Sequence, residues 1–243
     1  MSQLRLMDVI WGGGWMRLPL LKLYVQGWKG SGNGQFSDPW GVSVDQKDNQ
    51  IVIADLSNHR IQVFDEKGGF IHVIGSSGRG DGQLSYPYDV VVDSQGNYFV
   101  ADSNNHRVSV FDSNGQFLRK FGSKGNGNGQ LSGPYGLGLL SNGNIAVCEY
   151  SNSRVSIFDS QGNFVRHICA GQLSNPWHLF VDSDDNILVA NFTSSNPVRV
   201  FKADGTLVKN ISITGHSAAV GVSMDPEGRI IATDDNNGRV VVI

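Results

Sequence analysis

One pattern returns along this chain at intervals of roughly 40 to 50 residues, and a period of that length constrains the fold more than any other feature. Phe36-Ser-Asp-Pro39-Trp-Gly-Val-Ser-Val-Asp45 is answered by Leu84-Ser-Tyr-Pro87-Tyr-Asp-Val-Val-Val-Asp93, by Leu131-Ser-Gly-Pro134-Tyr-Gly-Leu-Gly-Leu139 and by Leu173-Ser-Asn-Pro176-Trp-His-Leu-Phe-Val-Asp182. A weaker fifth copy is Gly221-Val-Ser-Met-Asp225. Each unit continues with three further apolar segments, in the first unit Gln50 to Ala54, Arg60 to Asp65 and Phe70 to Ile74. Gly, Asn, Asp and Ser separate these segments, as in hairpin turns that need positive φ. Four short strands per unit, read as apolar runs because both faces are covered, predict the blades of a β-propeller.

Composition agrees with this all-β reading. There are 31 glycines against 7 prolines and only 17 % charged residues, which suits short strands and tight turns better than helices. The repeats run over about 36–83, 84–130, 131–172, 173–215 and 216–243, giving five blades. The fifth unit ends at Val242-Ile243 in its third strand, whereas Lys22-Leu-Tyr-Val-Gln26 has the form of an outer strand without a blade. Pairing residues 22–26 with the last blade would close the ring and cover two sheet edges. The expected domain is therefore 21–243, preceded by an irregular tail over 1–20.

A net charge of −3 gives no overall attraction to DNA or to an anionic membrane, and a protein partner is the expectation from charge alone. No apolar run approaches the roughly 18 residues of a membrane span. The first 20 residues, with Trp11 and Trp15 around three glycines, do not read as a secretion signal. Cys148 and Cys169 fall on strand-like segments without metal-ligand spacing, and they read as buried thiols in a reducing compartment. The sequons at Asn191 and Asn210 are short enough to arise by chance. A cytoplasmic protein without a cofactor is expected.

The run from Gly32 to Asp65, with Gly-Asn-Gly-Gln-Phe, Pro-Trp-Gly-Val and then Ile-Ala-Asp-x-x-Asn-His-Arg-Ile-Gln-Val-Phe-Asp, resembles the NHL repeat, and it recurs nearly intact from Gly80 to Asp112. The variety with Gly-rich connectors is most similar to the C-terminal NHL domain of animal tripartite-motif ubiquitin ligases. That resemblance implies a propeller that selects a target, protein or RNA, while RING, B-box and coiled-coil regions supply ligase activity. The present sequence carries no Cys/His zinc clusters and no heptads, so ligase activity is not expected of it alone. The family usually has about six repeats, so five imply either a diverged ring or part of a larger one.

Several residues recur at fixed places in the unit. Asp55 with Arg60, Asp102 with Arg107, Glu149 with Arg154 and Asp234 with Arg239 are each five apart, while the fourth unit has Asn191 and Pro197 instead. Joint loss of both members is what an ion pair across the hairpin between second and third strands predicts. The connectors Gly30 to Gly34, Gly78 to Gly82 and Gly125 to Gly129 resemble phosphate-cradling loops but lead from strand to strand, without the helix such a loop requires.

The position after the repeat proline holds Trp40, Tyr88, Tyr135 and Trp177. These aromatics either ring the mouth of the central channel, where bases or apolar side chains could stack, or pack between neighbouring blades. For single-stranded RNA, Lys29, Arg79 and Lys124 in the connectors would meet phosphates, and Asn58, His59, Asn105 and His106 would reach base edges.

The enzymatic alternative is a metal-dependent propeller like the peptide-amidating lyase or a lactonase. The first position of the innermost strands shows Gly41, Asp89, Gly136, His178 and Gly221, one histidine where about three ligands are needed, so His178 reads as a hydrogen-bonded channel residue. Gly215-His-Ser-Ala-Ala219 lacks the last glycine of a nucleophile elbow. Asp182-Ser-Asp-Asp-Asn186 starts like a calcium loop but lacks its glycine and closing glutamate, and it falls where each unit turns.

Overall fold

The computed structural model describes residues 28–192, 196–214 and 218–243. Within them the chain is an all-β, five-bladed propeller of antiparallel sheets, with single 3-10 turns as its only helical elements. Blade 1 comprises Pro39–Asp45, Gln50–Asp55, Arg60–Phe64 and Phe70–Ile74, hydrogen-bonded in chain order. Blades 2, 3 and 4 repeat this order, beginning at Pro87–Val92, Pro134–Leu139 and Pro176–Val181. Blade 5 has three strands among the described residues, Ala219–Met224, Ile230–Asp234 and Arg239–Val242. The tail 1–20, the strand expected at 22–26 and Gly215-His216-Ser217 lie outside the described residues.

Two compact units divide the chain between Phe121 and Gly122, so blades 1 and 2 lie in one and blades 3 to 5 in the other. Second and third strands supply the core: every residue of Tyr98–Asp102, Arg107–Phe111, Ile145–Glu149 and Arg154–Phe158 is buried. Between blades 1 and 2 the core is Val52, Ile61, Val63, Ile74, Leu84, Val90 and Phe111, and between blades 3 and 4 it includes Ile157, Leu179, Val189 and both cysteines. Burial pushes the Cys169 thiol up to about 12, with nearby Arg199 partly opposing the shift.

Fourth strands are half-exposed and carry outward aliphatic residues, Ile71, Leu118, Val165 and the pair Leu207 and Val208, followed by His72, Arg119, Arg166 and Lys209. The exposed cations Arg166 and Lys209 beside Val165 and Val208 discourage edge-to-edge pairing with another sheet.

The glycines at the start of the first strands answer to close approach rather than to unusual dihedrals. A Cβ on Gly41 would lie 2.6 Å from the Asp89 Cα, and one on Gly136 would lie 2.8 Å from the His178 Cα. Neighbouring first strands therefore touch backbone to backbone within each unit. Hairpin turns follow one plan: the Asp93 Oδ1 accepts the amide hydrogens of Gln95 and Asn97, and Asp112 and Asp159 act alike. Asp182 is another such turn, accepting from Asp184 and Asn186, so its carboxylate is occupied by the hairpin and does not begin a calcium loop.

Candidate functional site

The acid after each second strand organises the connector of its own blade. Asp55, Asp102 and Glu149 stand directly opposite Arg60, Arg107 and Arg154 and accept their Nε hydrogens at 2.8, 2.7 and 2.7 Å, with the acids wholly buried. Their other oxygens accept the backbone N–H of Ser37, Ser85 and Ser132, just after the residue that opens each repeat. Each guanidinium then reaches into the Gly-rich connector: Arg107 donates to the carbonyls of Arg79, Gly80 and Gln83, and Arg154 to those of Asn126 and Gln130. Gln35, Gln83 and Gln130 complete the connector by accepting the N–H of Gly32, Gly80 and Gly127. In blade 5 the pair persists as Asp234 and Arg239 at 2.9 Å, with the arginine side chain 42 % exposed.

Blade 4 departs from the sequence expectation in one respect. Asn191 keeps the backbone role, its Oδ1 accepting the Ser174 N–H at 2.6 Å, and Pro197 removes the arginine from the opposite position. Yet Arg199, two residues along the same strand face, donates to the carbonyl of Gln172, the residue matching Gln35 in blade 1. The guanidinium has moved rather than disappeared. It leaves two buried donors, Asn191 Nδ2 and Arg199 Nε, without acceptors among the described residues.

The amides of Asn58 and Asn105 are part of this same network, which corrects their assignment as base readers. The Nδ2 of each donates to its own blade's acid, and also to the carbonyl of Gly30 or Gly78. Both amide hydrogens are thereby taken. His59 likewise has its Nδ1 engaged, accepting the Tyr86 N–H at 3.0 Å, with the two rings edge to face at 4.5 Å. His59 and His106 both sit in the left-handed region, at φ 55° and 54°, closing the 3-10 turn. Asp38, Tyr86 and Asn175, each before a repeat proline, share that conformation, which side chains from the preceding hairpin hold in place at Tyr86 and Asn175.

The aromatic position is both exposed and packed. In the first unit Trp40, 43 % exposed, meets the half-buried Tyr88 at a ring separation of 5.6 Å. In the second, Tyr135 stacks on Tyr150 at 4.9 Å, Trp177 sets its edge against both at 5.3 and 5.7 Å, and Phe192 follows at 5.5 Å from Trp177. Aromatics of successive blades thus touch one another and still present half-exposed faces. Tyr150 and Phe192, which sequence reasoning missed, occupy the place held by Leu56 and Ser103, immediately after the acid, and aligning that column would have found them. Tyr86, 39 % exposed, and Trp28, 58 % exposed in the first connector, add aromatic surface that was also missed.

Lys29, Arg79 and Lys124 are exposed on the connectors, and none makes an ion pair among the described residues. Lys29 and Lys124 are fixed by short parallel pairings to Phe36 and Leu131. His178 Nδ1 accepts the Val222 N–H at 3.5 Å. Among the described residues no three His, Cys, Asp or Glu side chains come together in a metal-binding group.

The NHL repeat model matches residues 36–64 and 84–111. Rat E3 ubiquitin-protein ligase TRIM71 is 51 % identical over 55 residues, and the protein lin-41 of Caenorhabditis elegans is 49 % identical over 45 residues. The fruit-fly protein brain tumor is 54 % identical over 37 residues. These alignments cover 23, 18 and 15 % of this chain and only 6, 4 and 4 % of those proteins. Among solved structures, a streptogramin B lyase aligns with a TM-score of 0.68 at 15 % identity, covering 86 % of this chain and 69 % of the lyase. The WD40 β-propeller domain of Doa1 aligns with a TM-score of 0.64 at 16 % identity, covering 83 % of this chain and 61 % of that one. At such identities the structural likeness establishes the propeller fold alone.

Proposed function

We propose that this chain, which carries NHL repeats like those of tripartite-motif ubiquitin ligases, is a non-catalytic binding platform for a flexible polymer, with single-stranded RNA the ligand its chemistry fits best. The observation that supports this reading is the aromatic column: the same repeat position gives touching, half-exposed rings on consecutive blades, Trp40 with Tyr88 and Tyr135 with Trp177. Rings held at this spacing offer stacking surfaces whatever the base, each worth about 1–3 kcal/mol. Lys29, Arg79 and Lys124 supply cations for the backbone. In this proposal residues 21–243 are the target-recognition part of a cytoplasmic ligase or post-transcriptional regulator, and catalysis belongs to other domains.

The test is binding of the purified chain to a pool of short single-stranded RNAs at low and moderate salt. The proposal predicts binding that weakens as salt rises, because phosphate contacts release counterions. No binding by the folded chain at low salt overturns the RNA reading and leaves protein recognition to be sought with apolar peptides.

A further inference from the structure

Six Asn-Gly dipeptides occur in the sequence, at 33–34, 114–115, 126–127, 128–129, 142–143 and 237–238. In such a pair the glycine amide nitrogen can attack the asparagine side-chain carbonyl, because no Cβ shields it. Five of the six glycine N–H groups are already donating. Gly34 donates to the Gln62 Oε1 at 2.9 Å and Gly127 to the Gln130 Oε1 at 3.0 Å. Gly115, Gly143 and Gly238 donate to the carbonyls of Asp112, Leu140 and Asp235. Only the Gly129 N–H has no acceptor among the described residues.

The repeat explains the difference. Gly34 and Gly129 hold the same place in their connectors, and what covers Gly34 is Gln62, on the third strand of blade 1. The matching residue in blade 3 is Ser156, whose shorter side chain is turned inward to Glu149 and His167. Asn128 is exposed, Gly129 has φ 74°, and a Cβ there would meet nothing nearer than the Phe164 Cβ at 3.6 Å, so the turn has free space beside it.

We infer that Asn128 is a self-modifying position, the site in the folded chain at which deamidation to aspartate and isoaspartate is concentrated. The Gly129 nitrogen bonds to the Asn128 Cγ while the Cγ–Nδ2 bond breaks, and the amide proton leaves with the nitrogen as ammonia. Water then opens the cyclic imide at either carbonyl, giving aspartate or isoaspartate with no redox partner. The isoaspartyl product is a substrate for a carboxyl-methylating repair enzyme.

Ageing the full chain in warm, mildly alkaline buffer and mapping it by peptide mass spectrometry with fragmentation tests this. Asn128 should convert first, roughly three- to tenfold faster than Asn33, the factor a single protecting hydrogen bond gives. In the chain held unfolded by denaturant the two rates should converge. Gln62→Ser should bring Asn33 up to the Asn128 rate, and Ser156→Gln should slow Asn128. Equal native rates at Asn33 and Asn128, or faster conversion at any of the other four sites, would overturn the inference. The Gln62→Ser arm decides the matter if Ser156→Gln does not fold.

Discussion

Arg107 donates its Nε hydrogen to Asp102 at 2.7 Å from the directly opposed position of the neighbouring strand, and its remaining hydrogens hold three carbonyls of the connector. Removing one member leaves the other buried without its partner, so Arg107→Met should destabilise the fold by about 3–5 kcal/mol. Arg239→Met in blade 5, where the arginine is 42 % exposed although Asp234 is buried, should cost less than Arg107→Met, because the guanidinium it removes is already half in water. Urea unfolding of both variants measures the contrast, and equal losses would count against a connector role for the buried pairs.

Blade 4 supplies the reverse experiment. Asn191→Asp places an acceptor beside the two buried donors Asn191 Nδ2 and Arg199 Nε, replacing the first and satisfying the second. The variant should be more stable than the parent by roughly 1–3 kcal/mol, and the gain should vanish in an Arg199→Met background. A destabilised single variant would refute the view that blade 4 is the unfinished copy of this network.

The acid–arginine pairs, the four-strand unit and the hairpin turns were legible because each recurs in chain order. Arg199 was not, since a strand has a period of two and a residue two places on occupies the same face. Reading only the expected position hides that exchange. Asn58 and Asn105 were misplaced for a different reason: an Asn beside a turn can bond outward or back into its own repeat, and sequence does not show which. The aromatic column was visible, whereas the contribution of Tyr150 and Phe192 came from a neighbouring column that is Leu and Ser in the first two blades.

Burial holds the ring of His72 below its ordinary value of 6.5, and the same cause lowers His167. Each binds its proton less readily folded than unfolded, so stability is fully present above about pH 6.5 and falls as the pH drops below it. The loss should set in as the pH falls below about 6.5, separate from the carboxylates Asp159, Asp204 and Asp225, whose lowered values act only below their ordinary 3.8. Denaturation midpoints across this range should flatten in a His72→Gln, His167→Gln double variant.

Gly136 approaches the backbone of the next blade, where a Cβ would sit 2.8 Å from both the His178 Cα and the Leu179 nitrogen. Backbone cannot swing aside as a side chain can, so Gly136→Ala should cost about 1–3 kcal/mol through overpacking. Gly143→Ala meets nothing within 4 Å but has φ 81°, so its loss should come from strain, about 1 kcal/mol. Thermal unfolding of the two variants gives the comparison.

The aromatic column as the ligand surface is tested most directly by RNA affinity of a Trp40→Ala, Tyr88→Ala, Tyr135→Ala, Trp177→Ala variant whose folding is confirmed by circular dichroism, measured beside the parent chain in low salt. Binding by the parent and its loss by at least about a hundredfold in the variant is the predicted result, since several stacked bases at about 1–3 kcal/mol each are removed. Undiminished affinity in the folded variant would contradict the account and place the ligand away from these rings.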